Sequence, residues 1–331
     1  WVAVLATAPP GAAVVVAAAE VAGAAVAACT ADCHARPMPP LSAVATAALT
    51  RVFRDARAAI DPPLWIATDQ EGGDVQVLSG PGFDGMPTAL TQTRSDPGQL
   101  RADAARWGAQ LRAAGVDMNL APVADIVTSP EAVNPPIGSL NRQYGFDEAS
   151  VRSWAGAFAA GMRDAGVMPT LKHFPGLGRV SVNTDYGTGV TDDAVGADAP
   201  DVAVYRSLLA DGPAVVMMSS AIYARIDPSA PAPFSRTVVT DVLRGQLAFA
   251  GVVMTADVSA ADQLASWSPA DCAVLSIAAG VDVVLVSADP TVFPEMYQAV
   301  LARAQSDPAF AALVDDAATR VIAAKAAPVS G

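Results

Sequence analysis

Short runs of β-branched and apolar residues recur along this chain, separated by stretches in which apolar positions return every three or four residues. Strand faces repeat with a period of 2 and helix faces with 3.6, so the alternation predicts parallel strands joined by crossover helices. Eight runs read as strands: WVAVLA from Trp1, AAVAAC from Ala24, LWIAT from Leu64, DMNL from Asp117, MPTLK from Met168, VVMMS from Val215, VVMT from Val252 and VDVVLV from Val281. In DEASVRSWAGAFAAGMRDAG, Asp147 is placed to cap a helix, Val151, Trp154, Ala155, Phe158 and Met162 share one face, and Gly166 ends it. Further helices are expected over 42–59, 100–114, 235–247, 261–279, 293–304 and 310–326.

Eight β/α units without a proline- or serine-rich linker favour one domain over residues 1–331, a single α/β (β/α)8 TIM barrel, ahead of a doubly wound open sheet. Barrel chemistry sits in the loops after the strand C-termini. Those loops here carry Asp69, Gln70 and Glu71 after the third strand, Asp125 after the fourth, Lys172 and His173 at the fifth and Asp257 at the seventh.

A 52% hydrophobic and 16% charged composition provides a core and argues against disorder. The net charge of −13 would repel phosphate backbones, so nucleic acid is excluded as a partner. The run GAAVVVAAAEVAGAAVAA, Gly11 to Ala28, has the length of a membrane span but carries Glu20 at its centre, where a charge costs at least ~2.5 kcal/mol. It is read as a buried helix followed by a strand, not as a transmembrane segment. Cys29 and Cys33 are spaced for a small-loop disulfide if the protein is exported, and Cys272 reads as a buried thiol. Cys29, Cys33 and His34 lack a second ligand pair, so no metal is expected, and no cofactor. The compartment stays open, with a slight lean to an extracytoplasmic setting, where any signal peptide or lipid anchor would lie upstream of Trp1; a monomer is expected.

At the strand ends, Asp69 precedes Gly72 and Gly73, a pair that permits a tight turn close to a ligand, and its carboxylate could accept hydrogen bonds from sugar hydroxyls or simply cap that turn. The chain has only two lysines and two histidines, and one of each falls side by side at the end of the fifth strand, as Lys172 and His173. The pair suits hydroxyl binding, a structural ion pair, or, for Lys172, Schiff-base chemistry of a lyase.

Seven blocks in order resemble the single-barrel β-N-acetylglucosaminidase branch of glycoside hydrolase family 3. They are DQEGG at Asp69, NLAPVADI at Asn119, IGSLNRQYG at Ile137, KHFPGLG at Lys172, Y-x-x-I-D at Tyr223, GVVMTADVS at Gly251 and GVDVVLV at Gly280. The resemblance implies that Asp69, Arg142, Lys172 and His173 hold an N-acetylglucosamine ring, within an amino-sugar or a muropeptide fragment. The family also expects an arginine where this chain has Val77, and another where it has Asp74.

Retaining hydrolysis needs a carboxylate nucleophile and a separate acid/base, commonly carboxylates ~5–5.5 Å apart. The resemblance implies a strand-end S-D-D-L for the nucleophile and a D-S-H triplet for the acid/base. Gapless alignment puts Ala256 at the nucleophile, Asp185 at the acid/base histidine, Asn183 at its aspartate partner and Leu177 at a second loop histidine. A methyl group cannot attack an anomeric carbon, so the expectation is a relative that has lost hydrolysis and still binds sugar. The alternatives are an active retaining glycosidase that uses Asp257 and Asp185, which needs a bulge to bring Asp257 round, and a Schiff-base lyase at Lys172.

Overall fold

The computed structural model describes residues 64–329, together with the backbone of two strands, β1 (Val2–Leu5) and β2 (Val15–Ala17). Six more strands follow: β3 (Trp65–Thr68), β4 (Met118–Asn119), β5 (Met168–Phe174), β6 (Val215–Met218), β7 (Val253–Asp257) and β8 (Val283–Val286). The sheet runs in the order β1-β2-β8-β7-β6-β5-β4-β3 and curls into an α/β, TIM-barrel-like fold. From β2 through β8 and round to β3 the neighbours are parallel, as expected.

Two expectations are corrected at the N-terminus. β1 runs antiparallel to both neighbours, with Val4 opposite Ile66 and Ala17, so the barrel is not uniformly parallel. Only nine residues separate Leu5 from Val15, too few for the helical crossover that a parallel pair requires. The second strand lies at Val15–Ala17, inside the run read as a helix, because Val14, Val15 and Val16 form a β-branched cluster that alanine neighbours do not outweigh. The expected strand from Ala24, the helix over 42–59, His34 and the Cys29–Cys33 pair lie outside the described residues.

The outer face of the sheet is covered by α1 (Pro97–Ala113), α2 (Glu148–Asp164), α3 (Pro200–Ala210), α4 (Thr237–Gln246, π-helical), α5 (Pro269–Ala279) and α6 (Phe293–Ser306). α2 forms as its pattern requires, with the Asp147 side chain accepting from Ser150 N and Val151, Ala155, Phe158 and Met162 buried. The helix expected over 261–279 divides, because Ser268 caps a new start and Pro269 cannot donate within a continuous helix. No helix of the described residues is long and apolar enough to cross a membrane.

Side chains alternate across the sheet. Ile66, Leu171, Val216 and Val253 join the core under the helices, while Trp65, Ala67, Met118, Met168, Met217, Met254 and Leu285 form a separate inner cluster. A final helix, α7 (Pro308–Ala326), packs Val321 against that inner cluster and sets Lys325 over the Trp65 ring. It lies by the strand starts, at the opposite end from the strand C-termini.

Candidate functional site

Period-2 alternation sets which side chains crown the inner face. Trp65 and Ala67 are followed by Asp69 on β3, Met168 and Thr170 by Lys172 on β5, and Met254 by Ala256 on β7. Beyond Asp69 the chain folds into a hairpin, Gln70–Gly72 against Val75–Gln76. Buried Gln70 fixes it, exchanging side-chain bonds with the Leu78 backbone at 2.7 and 3.0 Å, while its own backbone pairs with Asn119.

This hairpin aims Glu71 inward, where it is buried at the centre of an ionic network. Arg142 grips it in a fork, Nε to Oε2 and Nη2 to Oε1, both at 2.8 Å. Lys172 Nζ reaches Glu71 Oε1 at 2.5 Å and Asp69 Oδ1 at 2.7 Å. Burial alone would raise the Glu71 carboxyl, but Arg142 and Lys172 outweigh it and hold the pKa down at about 2. Burial opposes the charge on Arg142 too, yet the Glu71 carboxylate drives that guanidinium further above its ordinary range.

His173 stands beside this network with its ring fixed from behind. Buried Asp125 binds His173 Nδ1 through Oδ2 at 2.8 Å and accepts from the His173 and Leu177 backbone N–H groups through Oδ1 at 3.1 and 2.7 Å. Nδ1 is thereby occupied, and Nε2 is the ring nitrogen left for a ligand. The Lys172–His173 peptide bond is cis. Tyr223 donates from its hydroxyl to Gly176 O at 2.7 Å and supports the turn that follows. A Cβ on Gly178 would lie 2.1 Å from Ile126 O, so the loops after β4 and β5 meet backbone to backbone.

Asp69, Arg142 and Lys172 are thus brought together through Glu71, with His173 adjacent. Glu71 and Asp125 were visible in the sequence only as acids at strand ends. Their signal was position, inside DQEGG and APVAD, but neither motif says that one carboxylate balances two cations and the other orients an imidazole.

The end of β7 is organised differently. Ala256 faces the inner cluster, and the sheet register shifts between Met254 and Asp257. The Asp257 carboxylate accepts from Ser259 N and Oγ and Ala260 N on its own loop, and from Ser287 N and Oγ and Ala288 N on the loop after β8, at 2.6 to 3.2 Å. Asp185 is exposed, its backbone N–H donating to Asn183 Oδ1 at 2.9 Å. Its loop is fastened to the segment after β7: Asp262 N and Gln263 N donate to Asp185 O and Thr184 O, and the Gln263 side-chain amide pairs with both backbone groups of Val190. Leu177 is buried, Val77 packs against the core, and Asp74 is exposed at the hairpin tip. Cys272 is buried as expected, and burial pushes its thiol up to about 12.

A rigid set of acids, one guanidinium, one ammonium and one imidazole thus gathers at the strand C-termini of a barrel-like α/β fold, the end at which such folds carry their chemistry. This chain belongs to glycosyl hydrolase family 3: the pattern of that family's N-terminal domain matches residues 17–324. A beta-hexosaminidase of Stenotrophomonas maltophilia is 36% identical over 269 residues, 78% of this chain and 77% of its own. The beta-hexosaminidase LpqI of Mycobacterium tuberculosis is 36% identical over 237 residues, 67% of this chain and 58% of its own. The crystal structure of a beta-N-acetylhexosaminidase from Beutenbergia cavernae superimposes with a TM-score of 0.82 at 56% identity, over 84% of this chain and 85% of that one. The chain is therefore glycosidase-like in both fold and ancestry.

Proposed function

We propose that this protein binds an N-acetylhexosamine at the ends of β3 and β5 through Asp69, Arg142, Lys172 and His173, and does not carry out retaining hydrolysis. The names of its relatives support the sugar class. The observation that carries the loss of hydrolysis is the end of β7. The inward position holds the Ala256 methyl group, and the adjacent carboxylate, Asp257, receives hydrogen bonds from two loops and serves as a tie between β7 and β8. A carboxylate so committed has its lone pairs occupied and is a poor nucleophile. Asp185, on a fastened outer loop, replaces the acid/base. Lys172 Nζ is committed to ion pairs with Asp69 and Glu71, which weighs against a lyase.

Hydrolysis of a chromogenic N-acetylglucosaminide, measured beside calorimetric binding of N-acetylglucosamine, tests this reading. The expected result is binding without turnover. Ala256→Asp combined with Asn183→Asp and Asp185→His is expected to recover measurable hydrolysis. Turnover by the natural protein that disappears in Asp257→Asn would overturn the proposal in favour of a glycosidase using Asp257 and Asp185.

A further inference from the structure

The strand-start end of the barrel carries a lysine that the sugar site does not use. The chain has two lysines, Lys172 and Lys325. Lys172 is buried at the strand C-termini and held between Asp69 and Glu71. Lys325 lies at the opposite end, in the last turn of α7, and is half-buried. Its Nζ stands 5.9 Å from the centroid of the Trp65 ring, at the first residue of β3. Ala318, Val321 and Ala324 of the same helix, with Val329 beyond it, pack on the inner cluster to which Trp65 belongs. The amine is therefore set on an apolar floor, with part of the side chain still exposed.

The charged groups around it do little to hold its proton. Asp117, just before β4, is the acid whose charge favours the ammonium, but that carboxylate is already shared. Its Oδ1 accepts from Arg112 Nη1 of α1 at 2.5 Å and its Oδ2 from Ile66 N at 3.1 Å. Arg320, earlier on α7, is turned to Asp282 at 2.7 Å. Burial outweighs Asp117 and pulls Lys325 down from 10.5 to about 8. An amine attacks only as its free base, which then makes up about a tenth of the molecules at pH 7, against roughly one in three thousand for an ordinary lysine.

We propose that Lys325 is an acylation site, taking small acyl groups from activated donors of the acyl phosphate class. In this step the uncharged Nζ attacks the acyl carbon and a C–N bond forms. The C–O bond to phosphorus's oxygen breaks, inorganic phosphate leaves with the electron pair, and the proton shed by Nζ passes to water. The product is a neutral amide, which an apolar floor accommodates at lower cost than an ammonium. α7 stays docked through Val321 and the Arg320–Asp282 pair, neither of which the reaction touches.

Incubation of the full chain with acetyl phosphate, with both lysines followed by peptide mapping and mass spectrometry, tests this. Lys325 is expected to acetylate at least about tenfold faster at pH 7 in the native protein than in the guanidinium-unfolded chain. Lys172 should stay unmodified in the native protein and match Lys325 in the unfolded one. The native Lys325 rate should rise with pH and level off above about 8, while the unfolded rate keeps rising toward pH ~10. The acetylated protein and Lys325→Gln should both keep the denaturation midpoint of the untreated chain. A native Lys325 rate no faster than the unfolded one, or one that levels off only near pH ~10, would overturn the proposal. Native acetylation of Lys172 at the rate of Lys325 would overturn it also, by removing the selectivity. A midpoint that falls on acetylation would overturn the docked amide.

Discussion

Glu71 shows how far one side chain can set a site. It is buried, yet held ionised by Arg142 and Lys172, with a pKa lowered from 4.5 to about 2. A depressed carboxyl contributes stability that is present above its unfolded pKa and lost as pH falls through the folded one. The contribution should therefore vanish between about pH 4.5 and 2, and the shift corresponds to a term on the order of 3 kcal/mol. Glu71→Gln should remove that part of the acid sensitivity, so that wild type loses more stability than the variant between pH 5 and pH 2 in denaturant titrations. The same variant should lose sugar binding at neutral pH, because Lys172 and Arg142 lose the partner that positions them. The residue types at these positions were readable in sequence. Their roles were not, because Glu71 and Arg142 stand 71 residues apart and meet only when two strand-end loops converge.

At the scale of elements, the period of the apolar pattern located α2 from its Asp147 cap, since cap and stripe are both local. α3 at Pro200–Ala210 was not anticipated, and the antiparallel and parallel pairing of Asp227–Pro231, Ile222–Tyr223 and Thr191–Asp192 into a small sheet depends on contacts between separate loops. The packing of α1 on α2 was likewise invisible, although it turns on two glycines, Gly108 and Gly161. A Cβ at Gly161 would stand 2.3 Å from Arg101 O and 2.6 Å from Ala104 Cβ, so the two helices meet with no room for a methyl group. Gly161→Ala is expected to push them apart and cost about 1–3 kcal/mol despite alanine's better helix propensity, measurable as a lowered denaturation midpoint with an unchanged slope.

The whole molecule is held at the strand starts, away from the ligand end. Buried Asp282 receives Arg244 from α4 at 2.6 Å and Arg320 from α7 at 2.7 Å, and accepts from Val253 N at 2.8 Å. One carboxylate thereby joins two helices to the seventh strand. Burial pushes its carboxyl up against the opposing pull of both arginines. Asp282→Asn should leave two guanidinium groups without their counter-charge and cost about 3 kcal/mol in thermal or denaturant unfolding. Sugar affinity of the folded fraction should be unchanged, since the cluster lies at the opposite end of the strands.

Sequence by itself determined what is local or periodic: seven of the eight strand runs meet described strands, the α2 cap is in place, and the ordered motifs named the family. Those signals survive in one dimension because alternation, capping and spacing involve near neighbours. Only the tertiary structure decided that β1 turns antiparallel, that Glu71 neutralises both cations, and that Asp257 is spent on tying two loops together. Each depends on which distant backbone and side-chain groups share one small volume, and charge balance and hydrogen-bond saturation are properties of that volume.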